Sequence, residues 1–377
     1  MAADLRALAG LGLALLAACG GGSPAQPEPG PTVHAVPPLM GADVSALARI
    51  EQAGGVFRES GTARDALAIL AGQGSNIFRL RLFVDPNHQD VQVNDLAYTL
   101  ALGRRVKATG AKLLLDLHYS DTWADPAHQS MPAAWQGLGI DSLAQRVRSY
   151  TADVITQMKA AGALPDIVQI GNEIDGGMLW PLGRVSGNAY DTPAQWSQLA
   201  RLLEAGSRGV KSALSPGDSV RIMLHYSQGG DAAGTQWFFD HIDAYGVQYD
   251  LIGLSYYPWW HGTLANLIGN LKATALRYDR DILVVETSYP WRTGGWEDMA
   301  TKRGAMTWPV SPDGQAAFLR DLADAVAQTP GSRGRGVIWW YPEAIQVPGL
   351  FVWGGGSLAL FDAGGNVLPS ASAFLGR

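Results

Sequence analysis

A single cysteine in 377 residues excludes an intrachain disulfide and any cage of thiolates around a metal. The 7 histidines are scattered, with no H-E-x-x-H pair, so the usual signature of a zinc hydrolase is missing as well. No G-x-S-x-G elbow follows an apolar run, which removes the cue for a Ser/His/Asp hydrolase. Neither G-x-G-x-x-G nor G-x-x-x-x-G-K-[ST] joins a strand to a helix, so nucleotide-binding sheets lose their fingerprint. Lysine and arginine form no run and the formal charge is −6, which argues against a nucleic-acid partner. No cofactor and no metal are expected, and the substrate should be a neutral small molecule or polymer.

Long apolar runs are also scarce. The longest candidate at the start, residues 7–18 after Arg6, is too short to span a bilayer and ends on small residues, as a secretory signal does. Residues 16–19 read LAAC, a lipobox-like sequence that makes Cys19 the expected lipid acceptor. Residues 1–18 are therefore read as a signal peptide and 19–31, rich in Gly and Pro, as a flexible tether. The expected location is the bacterial cell envelope, outside the inner membrane, with membrane contact only through the lipid. The remaining residues, 32–377, are read as one domain, expected to act as a monomer. That domain is rich in glycine and tryptophan (46 and 13 in the chain), which suits many loops and an aromatic-lined surface.

Short apolar runs alternate with amphipathic stretches from residue 32 onward. Strands are expected at 39–44, 76–83, 112–118, 167–173, 219–225, 251–256, 282–286 and 337–340. Helical segments are expected at 62–71, 95–109, 141–161, 192–212, 264–278 and 311–328, with Asp95 and Asp141 as N-caps and Gly110 and Gly162 closing helices. Eight such units predict an α/β fold, a single (β/α)8 barrel. A doubly wound open sheet fits the same alternation but lacks its phosphate-binding motifs. The segments after the third, fourth and seventh strands are long and rich in Trp, Pro, Gly and Asp, the composition expected of loops at a catalytic rim.

Two strands end in acids. Residues 166–173 read DIVQIGNE and residues 281–286 read DILVVE. A strand-end acid taken singly is usually a loop or capping residue. Two carboxylates brought to one rim can flank a glycosidic bond, one as acid/base and one as nucleophile. Gln169, Gly171 and Glu173 share strand parity, as do Ile282, Val284 and Glu286, which predicts that both acids face the barrel interior. Asn172 then needs a bend or bulge to turn inward. Arg81 supplies a fixed positive charge to hold a carboxylate ionised, unless it serves only a structural salt bridge. His118 is read as a polar contact to substrate, with Asp116 one layer deeper in a supporting role. Trp123, Trp135, Trp180, Tyr257, Trp259, Trp260 and Trp291 follow strand ends as candidate platforms for sugar rings. Of the neighbours Trp339 and Trp340, one must point to the core, and parity assigns Trp340 to the site.

The motifs together resemble glycoside hydrolase family 53, the bacterial and fungal endo-β-1,4-galactanases. In family order come GADVS (41–45), RLRL (79–82), LLLDLHYSDTWADP (113–126), PDIVQIGNEI (165–174), GMLWP (177–181), ETSYP (286–290), GQAAFLRDL (314–322), LFD (360–362) and LPS (368–370). The resemblance implies a (β/α)8 barrel with a retaining mechanism acting on galactan or arabinogalactan. It implies Glu173 as acid/base and Glu286 as nucleophile. It places Arg81, His118, Asn172, Trp340 and one of Tyr256 and Tyr257 around the reactive sugar. Two departures stand out. Where the family usually reads W-E-P this chain has Trp340, Tyr341 and Pro342, and the loop at 291–303 lacks the run that binds calcium in some bacterial members, so no calcium is expected. Two other readings keep part of this pattern: a barrel hydrolase acting on mannan or β-glucan, and a surface glycan-binding lipoprotein with no need of the two glutamates.

Overall fold

The computed structural model describes residues 35–376. The expected signal peptide, the Cys19 lipidation site and the 19–31 tether lie outside the described residues, as does the start of the domain at 32. Eight parallel strands close into a barrel: β1 Leu39–Asp43, β2 Ile77–Leu82, β3 Lys112–Leu117, β4 Ile167–Ile170, β5 Arg221–Tyr226, β6 Leu251–Tyr256, β7 Asp281–Thr287 and β8 Gly334–Trp340. Each pairs with its sequence neighbours, and β8 closes onto β1 with Leu39 opposite Gly336 and Asp43 opposite Trp340.

Both faces of such a sheet are covered, so its strands are apolar almost throughout. Leu39, Ile77, Leu114, Ile167, Met223, Leu251, Leu283 and Ile338 pack together as the floor of the barrel, one from each strand. Strand residues of the opposite parity, among them Phe78, Leu113, Leu115, Val168, Ile170, Leu224, Ile252, Leu254, Val284 and Trp339, belong to the outer core against the helices. Above the floor the inward positions turn polar, with Asp43, Arg79, Asp116, Gln169 and His225 all buried. Barrel alternation thus stacks a greasy plug under a charged layer. Gly41 lets β1 come close to β2, because a Cβ there would lie 1.8 Å from the Ile77 carbonyl oxygen.

The helices depart from the sequence reading at instructive places. Asp95 does cap its helix, accepting from the Tyr98 amide at 2.8 Å, but Gly139 rather than Asp141 precedes the helix Ile140–Ala160, and Asp141 sits in its first turn. Thr62 and Ala63 belong to a small hairpin, and the helix begins at Ala66 behind the Asp65 cap. The helix Ala232–Ala244, capped by Asp231, had no counterpart among the expected segments. After β8 the last described element is a 3-10 turn, Pro369–Leu375, and no α-helix follows β8 among the described residues. Gly110 and Gly162 follow their helices at φ 81° and 72°, conformations open to glycine at little cost.

Candidate active site

At the C-terminal rim a cavity of about 600 Å³ is lined by Glu173, Glu286, Arg79, Arg81, Asn172, His118, Trp123, Tyr257, Trp260, Trp340 and Trp353, among others. The two acids arrive by different routes. β4 ends at Ile170; Gly171 takes φ 79° and Glu173 the left-handed φ 47°, ψ 57°. This is the bend that Asn172 requires, and it swings both Asn172 and Glu173 into the cavity. On β7 the expected parity fails. Ile282 and Val284 pack outward in the helix-facing core, whereas Leu283 and Val285 point to the barrel interior. A register shift against both β6 and β8 in this stretch acts as a bulge and re-aims Glu286 inward.

The charge that holds Glu286 comes from Arg79, not from Arg81. Arg79 Nη1 lies 2.8 Å from Glu286 Oε1 and 2.9 Å from Asp43 Oδ2, while Nη2 lies 2.8 Å from Asp116 Oδ2. Three surrounding carboxylates push the Arg79 pKa upward against its burial. Arg81 instead donates to the Val91 carbonyl at 2.7 Å, and its guanidinium lies 4.4 Å from the centre of the Trp123 ring. It lines the cavity as a support for Trp123. Both arginines share one parity, so β2 alone could not distinguish them.

The two glutamates sit in unequal surroundings. Burial and the neighbouring Glu286 raise the Glu173 pKa well above the usual carboxyl range, and Asp175 and Asp125 add to the effect. Burial also raises Glu286, but there Arg79 opposes it as both charge and hydrogen-bond donor. Arg79 therefore makes Glu286 the better home for the negative charge, and Glu173 keeps the proton. Two titratable groups driven apart in this way are chemically suited to serve as an acid and a nucleophile.

Each group is fixed by a partner. Ser255 Oγ donates to Glu173 Oε1 at 2.7 Å, and Tyr257 donates to Glu286 Oε2 at 3.2 Å. The second contact selects Tyr257 over Tyr256, whose hydroxyl donates to the Gly262 carbonyl and whose ring is in the core. With Ser255 donating onward, His225 Nε2, 2.8 Å from Ser255 Oγ, must carry the proton of that bond. Burial keeps His225 well below its ordinary pKa, so it is neutral. His225 and Ser255 were not singled out in the sequence, although both occupy inward positions near strand ends.

Asn172 Oδ1 accepts from Arg79 Nη2 at 2.8 Å and from Gln169 Nε2 at 3.0 Å, while Nδ2 donates to the Ala124 carbonyl at 2.8 Å. An amide nitrogen has two hydrogens, so one remains for a sugar hydroxyl. His118 departs from its expected role: Nδ1 accepts from the Ala124 amide at 3.0 Å, and Nε2 is 3.0 Å from Asp116 Oδ2. Both ring nitrogens are engaged inside the protein, so His118 orients Asp116 and offers substrate only its ring.

The aromatic positions divide in the same way. Trp123, Tyr257, Trp260 and Trp340 line the cavity, and Trp339 is core. Trp135 and Trp259 are buried in packing, Trp180 lines a separate groove, and Trp291 donates to the Gly356 carbonyl away from the cavity. The long segment after β7 contributes no lining residue. The segment after β8 takes that place through Phe351 and Trp353, with Trp353 4.9 Å from Trp340 between ring centres.

Beyond Tyr341, Glu343 is buried. Its Oε1 accepts from the Ala46 amide at 2.8 Å and its Oε2 has no hydrogen-bond partner among the described residues. Burial and the nearby Asp43 push its pKa up from 4.5 to about 8. The folded chain then holds a proton that the unfolded chain has released, so stability is lost as pH rises from about 4.5 through about 8. Glu343→Gln keeps the acceptor and removes the charge. Its melting temperature should depend less on pH over that window and should exceed that of the parent at pH 9, the gain being on the order of a few kcal/mol. Parallel melting curves for the two proteins at high pH would refute this assignment.

Residues 39–374 match Glycosyl hydrolase family 53. The chain is 40% identical to a probable arabinogalactan endo-β-1,4-galactanase A of Aspergillus terreus, over 85% of this chain and 90% of that one. It is 36% identical to an arabinogalactan endo-β-1,4-galactanase of Thermothelomyces thermophilus, over 89% and 98% of the two chains. Among solved structures, the GH53 catalytic domain of Ignisphaera aggregans superposes with a TM-score of 0.82 at 34% identity, covering 91% of this chain and 98% of that one. With the match spanning the barrel from its first strand to its closing turn, the chain belongs to glycosyl hydrolase family 53.

Proposed function

We propose that this protein is a retaining endo-β-1,4-galactanase acting on pectic galactan and type I arabinogalactan. The observation that carries the reading is the asymmetry of two carboxyl groups in one cleft: Glu286 bound to Arg79, and Glu173 with no ion-pair partner among the described residues. The names of the family relatives supply the substrate class.

In the first step Glu173 donates its proton to the glycosidic oxygen while a Glu286 oxygen attacks the anomeric carbon. The bond to the leaving sugar breaks, and a galactosyl ester of Glu286 forms. Arg79 stabilises the Glu286 charge before attack. Glu173, now ionised, no longer faces a charged Glu286, and in the second step it takes a proton from water. That water displaces Glu286 from the anomeric carbon with a second inversion, so the β-configuration is retained. The free Asn172 amide hydrogen suits the sugar 2-hydroxyl, and the cavity-lining indoles of Trp123, Trp260, Trp340 and Trp353 suit the C–H faces of galactose.

The test is hydrolysis of linear β-1,4-galactan by the purified chain, following reducing ends and, by proton NMR, the anomer first released. Internal cleavage with the β-anomer first is expected. Cleavage of mannan or β-glucan but not galactan would reassign the substrate, and binding without reducing ends would make the protein a glycan binder. Residues 1–18 are proposed as a signal peptide and Cys19 as the lipid acceptor, on the LAAC sequence at 16–19. The mass of the mature N-terminus tests this, and an unmodified Cys19 would refute it.

A further inference from the structure

Two residues beyond Glu173 the same short turn carries a second carboxylate, Asp175, that the mechanism does not use. Asp175 Oδ1 accepts from the Ser227 backbone amide at 2.6 Å, and its Oδ2 accepts from the Ser227 hydroxyl. Ser227 follows directly on β5 and lines the cavity, and Gln228, also in the wall, donates to Ser227 Oγ at 3.0 Å. The turn that presents Glu173 is thereby tied to the neighbouring strand end at two points. Such a tie is useful where it stands, because Glu173 occupies a left-handed conformation at φ 47° that a non-glycine residue adopts only when its surroundings hold it there.

We infer that Asp175 is a positioning residue for the acid/base, pinning the Glu173 turn to Ser227 and, as a nearby anion, keeping the proton on Glu173. This rests on the acid/base role proposed for Glu173. The groups facing Asp175 are Glu173, Tyr226 on β5, and Asp231 at the start of the following helix. Partial burial, opposed by the two Ser227 bonds, pushes Asp175 up to about 6, so it is charged on the alkaline side of that value. A like charge disfavours ionisation of its neighbour, so loss of the Asp175 charge lets Glu173 give up its proton at lower pH.

Asp175→Asn separates the charge from the tie, because the amide can still accept from the Ser227 N–H and can donate to its hydroxyl. The alkaline limb of kcat/KM on galactan should move down by about half a unit to one unit. The Glu173 carboxyl, read directly by NMR in protein labelled with carboxyl-13C glutamate and identified by its loss in Glu173→Gln, should shift in the same direction. Asp175→Ala removes the tie as well, and kcat should fall by about tenfold to a hundredfold with KM little changed. A folded Asp175→Asn protein whose Glu173 titrates as in the parent overturns the charge coupling, and a folded Asp175→Ala protein with the kcat of the parent overturns the tie. If the Ala variant does not fold, the Asn variant decides. A parent protein that cleaves no galactan, but whose Glu173 signal still moves in the Asn variant, defeats the substrate reading and leaves the coupling standing.

Discussion

Glu286→Ala should hydrolyse β-1,4-galactan on the order of 10⁵-fold more slowly than the parent, because the covalent route loses its only attacking atom. The fold should survive. Arg79 keeps Asp43 and Asp116 at 2.9 and 2.8 Å after Glu286 is gone, so no buried cation is left unpaired, and the cost of burying one carboxylate disappears. A melting temperature equal to or above that of the parent is therefore expected. Adding azide with an activated aryl β-galactoside should restore turnover, and the product should be the α-galactosyl azide, since a single displacement inverts the centre. A well-folded alanine variant that still releases sugar from galactan at a few per cent of the parent rate would remove Glu286 from the mechanism.

Glu173→Ala should behave differently on different substrates. On galactan the leaving group is a poor one, and losing its proton donor should lower kcat/KM by about 10³ to 10⁴. On an aryl galactoside whose leaving group needs no proton, the first step should survive and the second should slow, giving a burst followed by slow turnover. Azide should accelerate that second step and yield the β-galactosyl azide. The pH profile should change as well. In the parent, activity should fall as pH drops through the Glu286 pKa and again as pH rises through that of Glu173. Glu173 is raised well above the carboxyl range by burial and by Glu286, so the alkaline limb belongs to it and should vanish in the alanine variant. Equal losses on both substrates with an intact alkaline limb would contradict the role.

Much of this architecture was legible from the chain alone. The eight strands appeared in the expected order because a parallel barrel covers both sheet faces and leaves apolar stretches such as Leu113 to Leu115 in β3 and Leu251 to Leu254 in β6. Glu173 and Glu286 could be chosen because each ends such a run. Depth was harder. Arg79 and Arg81 have the same parity and similar neighbours, and only the reach of Asp43 and Asp116 from adjacent strands shows which arginine meets Glu286. Parity misled on β7, where a bulge between Val284 and Thr287 reverses the alternation and delivers Glu286 by a route that a period of two does not contain. Tryptophan is ambiguous for a related reason: a strand-end indole serves equally to fill a loop, as Trp135 and Trp259 do, or to line an open cavity, as Trp340 does. Glu343, Asp175 and His225 were passed over because what sets each apart is its surroundings in space, which its sequence neighbours do not reveal.

The polar layer above the barrel floor draws Asp43, Arg79, Asp116, Gln169, His225, Ser255 and Glu286 from seven successive strands, while the aromatic walls come mostly from the loops above. Reagents for new linkages can therefore be sought by exchanging loops such as the one carrying Phe351 and Trp353, leaving the strand-borne polar layer beneath untouched. The reverse exchange, grafting the two acids onto another scaffold by their short motifs alone, leaves behind most of the partners that set them apart.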